Sequence, residues 1–331
     1  MKDVVLEVKD LKKFYSMSSK GISFKKLVEK NFVHAVDGIS FSIRKGEILA
    51  LVGESGSGKT TTGMCSLALN PPTSGEVLLE GENLVALFKS RRWREMCLKV
   101  QMIFQDPYSS LNPRHKVYKI VEEPIVVHKL AKTKEEKYKK ICNALEDAGL
   151  KPAEDYLDRY PEQLSGGQRQ RVAIACALVM SPLYLVADEP SSMLDVSIRA
   201  EILNLLLKLR DEHNLAMLYI THDLASAAYL ANRVAVMYLG RIVEEGPAES
   251  LFANPQHPYT KALMSVVPTP GTKSKRERIV LKGETPNPIN LPKGCRFQPR
   301  CPVAIPQCKE IDPELEQVMD GHKVACILNN M

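Results

Sequence analysis

The chain has 331 residues, with 45 Lys and Arg against 39 Asp and Glu, a formal net charge of +6, and 44% hydrophobic and 25% charged residues. That composition is ordinary for a globular chain long enough to bury one large core or two modest ones. No apolar run approaches about 18 residues, so no membrane-spanning helix is expected, and no secretory leader is read at the start. The basic clusters at Lys25-Lys26, Arg91-Arg92 and residues 273–278 lack interleaved aromatics and read as solvated surface, not as a nucleic-acid groove.

Residues 4–9 and 39–44 alternate apolar and polar, the period of half-buried strands. Residues 48–52 (ILALV) form a short apolar strand, followed by Gly53-Glu54-Ser55-Gly56-Ser57-Gly58-Lys59-Thr60 and a helical run from Thr61 onward. Strand, G-x-x-x-x-G-K-T loop and helix in that order are what a phosphate cradle requires. Backbone N–H groups from Ser55 to Thr60 would surround a phosphate, Lys59 would neutralise its outer oxygens, and the Thr60 hydroxyl would ligate magnesium. After a loop at 71–75 and a strand at 76–79, the apolar run 100–104 ends at Gln105. Residues 106–162 are polar and helical, with Tyr138, Ile141, Cys142, Leu145 and Ala148 on one predicted helix face.

A second glycine-rich turn follows, Leu164-Ser165-Gly166-Gly167-Gln168, before an apolar helix at 172–180. Its glycines allow close approach of a ligand, Ser165 is a natural N-cap, and the helix start aims free N–H groups at an anion. Next, the buried strand 183–187 ends in Asp188 and Glu189, at the strand end where α/β sheets place ligands. Asp188 would hold magnesium and Glu189 would polarise an attacking water. A leucine-rich helix at 202–209 leads to Tyr219-Ile220-Thr221-His222-Asp223, and the α/β pattern continues to about 246. Beyond Pro247 the chain is dense in proline.

These motifs together resemble the nucleotide-binding subunit of ABC transporters, over essentially the whole chain. The resemblance implies an α/β fold: a P-loop (RecA-like) ATPase core with an antiparallel β subdomain, an inserted α-helical subdomain and a Cys-bearing C-terminal extension. The implied boundaries are 1–105 and 171–250 for the core, 106–170 for the helical subdomain with its signature turn, and 251–331 for the extension. It further implies ATP and Mg2+ as cofactors, with magnesium held by Thr60, Gln105 and Asp188. Gly53, Ser55, Gly56, Gly58, Lys59, Thr60 and Thr61 would bind nucleotide, and Tyr15, with Phe14 the runner-up, would stack on adenine. Ser165, Gly166, Gly167 and Gln168 would read the nucleotide of a partner subunit. Gln105 would sense magnesium and the membrane partner, Glu189 and His222 would serve catalysis, and Asp195 would belong to the D-loop Ser191-Ser192-Met193-Leu194-Asp195, where Met193 stands in place of the usual alanine.

Residues 101–114 (QMIFQDPYSSLNPR), residues 257–263 (HPYTKAL) and the cysteine tail narrow the resemblance to the oligopeptide/dipeptide importer group. The basic-apolar insertion at 20–36 resembles the second of its two paired ATPase subunits. Expected partners are a second, homologous ATPase subunit, two transmembrane permease subunits and, indirectly, an extracytoplasmic substrate-binding protein, with no nucleic acid. The expected location is peripheral, on the cytoplasmic face of the cell membrane. Oligosaccharide or nickel import is the alternative cargo. A soluble ABC ATPase of repair or translation is the rival class, disfavoured by the single module; a small-molecule kinase has no use for the second turn.

Eight cysteines are unevenly spread. Cys65, Cys97, Cys142 and Cys176 sit singly and read as small core hydrophobes. Cys295, Cys301, Cys308 and Cys326 crowd a proline-rich tail with little apolar sequence, and suggest a staple. Three readings stay open: a 4Fe–4S cluster on four thiolates, zinc, or reduced thiols. The tail resembles that of family members carrying a cluster.

Overall fold

The computed structural model describes residues 3–16, 32–90, 92–266 and 278–330. Most of the basic-apolar insertion, together with Lys25, Lys26, Arg91 and residues 273–277, lies outside them. Among the described residues the strands are β1 (Val4–Ser16), β2 (Phe32–Arg44), β3 (Ile48–Val52), β4 (Ser74–Leu79), β5 (Glu82–Asn83), β6 (Val100–Ile103), β7 (Tyr184–Asp188), β8 (Ala216–Thr221), β9 (Arg233–Tyr238), β10 (Arg241–Pro247), β11 (Glu316–Met319) and β12 (His322–Val324). The chain forms two compact units.

The first unit takes in Met1–Leu6, Ser42–Ile48 and Leu78–Ile220. Its strands β6, β7 and β8 run parallel, with Val100 opposite Tyr184 and Tyr184 opposite Ala216. All five residues of β7 are buried, as the unbroken apolar run requires of a strand covered on both faces. Helices Val117–His128, Lys134–Asp147 and Gly166–Leu178 pack on one another. The expected helix face needs one correction. Ile141, Cys142, Leu145 and Ala148 are buried, but Tyr138 is 42% exposed, because it lies in the N-terminal part of Lys134–Asp147, ahead of the buried stretch. The expected helix at 172–180 begins earlier, at Gly166, because Ser165 caps it.

In the second unit, which takes in Glu7–Phe41, Leu49–Val77 and Thr221–Met331, the larger sheet runs β11-β12-β10-β9-β3. Strands β3 and β9 are parallel; β9 and β10 form an antiparallel hairpin with Tyr238 opposite Arg241. The two tail strands extend the same sheet, with Val324 opposite Glu244. Strands β2, β1 and β4 are neighbours in that order, and β1 and β2 are each 13 residues, longer than the alternation at 4–9 and 39–44 announces.

Buried polar contacts tie the tail into this unit. The fully buried Glu244 carboxylate accepts the backbone N–H of Gln256 at 2.7 Å and of His257 at 3.0 Å, and pairs with His322 Nε2 at 2.7 Å. A buried carboxylate survives only with such partners. Beside it, burial and the charge of Lys261 push the His257 imidazole down to about 3, which keeps it neutral so that its Nδ1 accepts the Tyr259 N–H at 3.1 Å. Tyr238, Tyr259 and Phe297 pack against one another in tilted and edge-on contacts, with ring centroids 4.8 to 5.3 Å apart. Arg296 donates to the Leu239 carbonyl at 2.6 Å and also pairs with Asp37.

Candidate functional site

The P-loop lies in the second unit, and its shape depends on glycine. Gly53 has φ +153° and Gly58 φ +106°; a Cβ would stand 2.2 Å from the Met237 carbonyl oxygen at the first and 2.1 Å from that of Ala35 at the second. No side chain fits there without moving backbone. Gly58 is the N-cap of helix Lys59–Ser66, whose opening N–H groups point toward the loop. Lys59 is buried, and its Nζ donates to the carbonyls of Gly53 at 2.8 Å and Glu54 at 2.9 Å. Ser55, Gly56 and Thr60 are exposed, Thr61 is half-buried, and the buried Ser57 hydroxyl has no hydrogen-bond partner. A cradle closed to Cβ atoms, an inward-folded cation and an orphaned hydroxyl fit a polyphosphate with its magnesium.

His222 is in the same unit, exposed in the turn before helix Leu224–Leu230. That turn is fixed by Asp223, whose carboxylate accepts the Ala225 N–H at 3.0 Å while its own N–H donates to Thr221 Oγ1 at 3.0 Å. Tyr15 is 39% exposed, receives a hydrogen bond from Asn70 Nδ2, and has the Lys13 ammonium 5.3 Å above its ring. Phe14, the runner-up, is turned against His34, with centroids 4.4 Å apart.

In the first unit, Asp188 is buried at the end of β7 and Glu189 follows with φ +46°. Such a left-handed carboxylate is costly and held by its surroundings. Its N–H donates to the Ile220 carbonyl at 2.9 Å, its carbonyl accepts from Ser192 Oγ at 3.0 Å, and Gln105 Nε2 donates to its side chain at 3.2 Å. Gln105 and Glu189, 84 positions apart in sequence, are thus brought together. The second glycine turn forms a capping box: Ser165 Oγ accepts the Gln168 N–H at 3.2 Å, and Gln168 Oε1 accepts the Ser165 N–H at 3.0 Å. Ser165 is exposed and Gly166 half-exposed, while Gly167 packs so close to Ile198 that a Cβ would stand 2.5 Å from its Cγ2. Asp195, at the start of helix Val196–His213, is exposed, as are Met193 and Val196. A groove of about 620 Å³ in this unit is lined by Phe104, Ser109, Leu111, Ile120, Val127 and Ala173, among others.

The four tail cysteines all line one cavity, with His257, Pro258, Phe297 and neighbours. Of the set, Cys308 is buried and the others half-buried. Burial pushes the Cys295 thiol up to about 11 and raises Cys301 and Cys326 as well, whereas metal ligation requires thiolates. The cavity measures only about 10 Å³, room for a single water. Among the described residues no group of three or more His, Cys, Asp or Glu is arranged to hold a metal ion. The donors suit a cluster in kind, but the expected 4Fe–4S or zinc site is not formed by their arrangement.

Glu54 is the residue that reading the sequence passed over. Its carboxylate accepts Arg300 Nη1 at 2.8 Å, Arg300 Nη2 at 3.2 Å and Thr285 Oγ1 at 2.8 Å, and its N–H donates to Tyr259 Oη at 2.9 Å. Burial alone would raise the carboxyl, but the hydrogen bonds from Arg300 and Thr285, with the charges of Arg300 and Lys59, hold it below its ordinary range. No local pattern signals a partner 246 positions away.

Residues 36–192 match the family model described as ABC transporter, and residues 243–308 the one for the oligopeptide/dipeptide transporter C-terminal region. The chain is 45% identical over 328 residues to the oligopeptide transport ATP-binding protein AppF of Bacillus subtilis, covering 98% of each. It is 46% identical over 319 residues to the dipeptide transport ATP-binding protein DppF of Haemophilus influenzae, covering 96% of this chain and 94% of that one. Among solved structures it is similar to the dimeric, post-hydrolysis ATP-binding cassette MJ0796 bound to ADP and Pi, with a TM-score of 0.63 and 30% identity over 73% of this chain and 98% of that one.

Proposed function

Because the chain belongs to the ABC transporter ATPases, with the C-terminal region of the oligopeptide/dipeptide transporters, we propose that it is the ATP-hydrolysing subunit of an importer for short peptides. Gly53, Ser55, Gly56, Gly58, Lys59, Thr60 and Thr61 hold ATP, and Thr60, Gln105 and Asp188 hold the magnesium, which neutralises the phosphate charge when bound. Glu189 polarises the attacking water, His222 holds the transferred phosphoryl, and Tyr15 carries the adenine. Ser165, Gly166, Gly167, Gln168 and Asp195 face the nucleotide of a homologous ATPase subunit. The exposure of Ser165 and Asp195 on one chain supports that reading, because a turn built for an anion is left open to a partner.

One observation carries the transport reading: the groove of about 620 Å³ beside Phe104 and residues 109–112, immediately after Gln105. Its apolar lining suits an amphipathic helix laid in from a permease subunit. Closure driven by ATP is thereby transmitted to the membrane pathway, with the chain held peripherally on the cytoplasmic face and cargo selected by an extracytoplasmic binding protein. The proposed division is a core at 1–105 and 171–250, a helical subdomain at 106–170 and an extension at 251–331. To test the function, the gene's deletion strain is assayed for uptake of labelled di- to pentapeptides and labelled oligosaccharides. Loss of peptide uptake alone, restored by the wild-type chain, is expected; intact peptide uptake with lost sugar uptake would reassign the cargo.

For Cys295, Cys301, Cys308 and Cys326 we take a structural 4Fe–4S cluster as the finer reading. That all four cysteines line one cavity supports it. Anaerobically purified full-length chain is expected to contain stoichiometric iron and acid-labile sulfide. Iron-free and zinc-free protein in which all eight cysteines titrate as thiols after denaturation would leave the reduced form as the answer, and stoichiometric zinc would make it a zinc site.

A further inference from the structure

A carboxylate in a phosphate cradle is a liability. Glu54 is the second residue of the loop, adjacent to Gly53 and sharing Lys59 with it: the ammonium bonds the carbonyls of both. Left to itself, a Glu54 side chain would repel a bound polyphosphate and compete with it for Lys59. The chain answers with a guanidinium from far along the sequence. Arg300 makes a two-pronged contact with Glu54, at 2.8 and 3.2 Å, and its Nη1 also reaches Thr285 Oγ1 at 3.2 Å, so two mutually bonded side chains close on one carboxylate. Such forked pairs fix direction as well as charge.

The latch is built into the interior. The Arg300 side chain is only 9% exposed, and its guanidinium lies over the Tyr238 ring at 5.9 Å. Tyr259, fully buried among Tyr238 and Phe297, accepts the Glu54 N–H, so the backbone of the loop is held as well as its side chain. A solvated surface pair would be worth little; a pair embedded in an aromatic cluster and joined by a backbone bond is positioned to shape the loop.

We propose that Arg300, with Thr285 and Tyr259, is a positioning element of the nucleotide site: it turns the Glu54 carboxylate away from Lys59 and the phosphates and thereby sets ATP affinity. The C-terminal extension is on this view a working part of the P-loop. The proposal deepens the ATPase reading and rests on it.

The test uses the full-length chain, Mg-ATP titration, and ATP turnover of the assembled transporter. R300A is expected to weaken Mg-ATP binding about tenfold, a coupling of the size seen between contacting residues, while turnover at saturating ATP changes less than about threefold. E54Q alone is expected to bind near wild type. The decisive variant is E54Q/R300A: with the carboxylate neutralised, affinity returns to near wild type, and R300K recovers part of it. A purely structural role predicts the opposite, with the double variant as weak as R300A. Should R300A fail to fold, Thr285→Val, a half-buried change, is expected to weaken binding by about threefold at an unchanged thermal midpoint. Wild-type affinity in R300A or in T285V, or no recovery in the double variant, overturns the latch. A wild-type chain that binds no Mg-ATP overturns the ATPase reading itself, and the two failures are told apart by that control.

Discussion

Glu189→Gln is expected to cut ATP turnover by about 10²–10⁴-fold while leaving Mg-ATP binding intact. The substitution is close to isosteric and keeps an acceptor for Gln105, which now lies 3.2 Å from the carboxylate. The anchors at its backbone, to Ile220 and Ser192, involve no side-chain charge and persist. What disappears is the negative charge that, in the proposed mechanism, polarises the attacking water. ATP then favours the closed pair of ATPase subunits and is not consumed, so that state accumulates. Steady-state phosphate release gives the rate, and size-exclusion chromatography with ATP reveals the trapped complex. Turnover at the wild-type rate would remove Glu189 from the reaction.

Lys59→Ala acts on the other side of the cycle. A unit-charge contact at 4 Å is worth about 4 kcal/mol at an effective dielectric of 20. Water returning to the emptied position offsets part of that, so affinity for Mg-ATP is expected to fall about 100-fold, equivalent to about 2.7 kcal/mol. The carbonyls of Gly53 and Glu54 also lose their shared donor, which loosens the loop. Fluorescent-nucleotide titration measures the loss directly. The two variants separate cleanly: one binds and does not turn over, the other binds about 100-fold more weakly. Binding within threefold of wild type would mean that the ammonium does not face phosphate.

The parts of this protein that were legible in its sequence are those encoded locally. The strand at 48–52 and the loop after it are one continuous signal, and the structure forms both at those residues. Ser165 was readable as a cap because a capping box needs only positions three apart. Local reading misjudged extent. The helix expected from 172 starts at Gly166, since two glycines weaken the propensity signal that the cap overrides. Tyr138 fits the helical period but lies in the N-terminal part of its helix, ahead of the buried stretch. The tail was the least legible. Strands β11 and β12 are short and only partly apolar, and they exist because β10 offers an edge, a partner no window of neighbouring residues contains. The same holds for the four cysteines, whose shared cavity depends on Phe297 and the helix start at Pro258, and for the Glu54–Arg300 contact.

That contact also sets a clock. Glu54 leaves the ribosome 246 residues before Arg300, which at about 5–20 residues per second is about 12–50 s of synthesis. Throughout that interval the nascent P-loop exists with its carboxylate unrestrained. If the proposed latch sets affinity, incomplete chains and products of late nonsense or frameshift mutations that lose Arg300 are expected to bind Mg-ATP more weakly than the finished polypeptide, as R300A does.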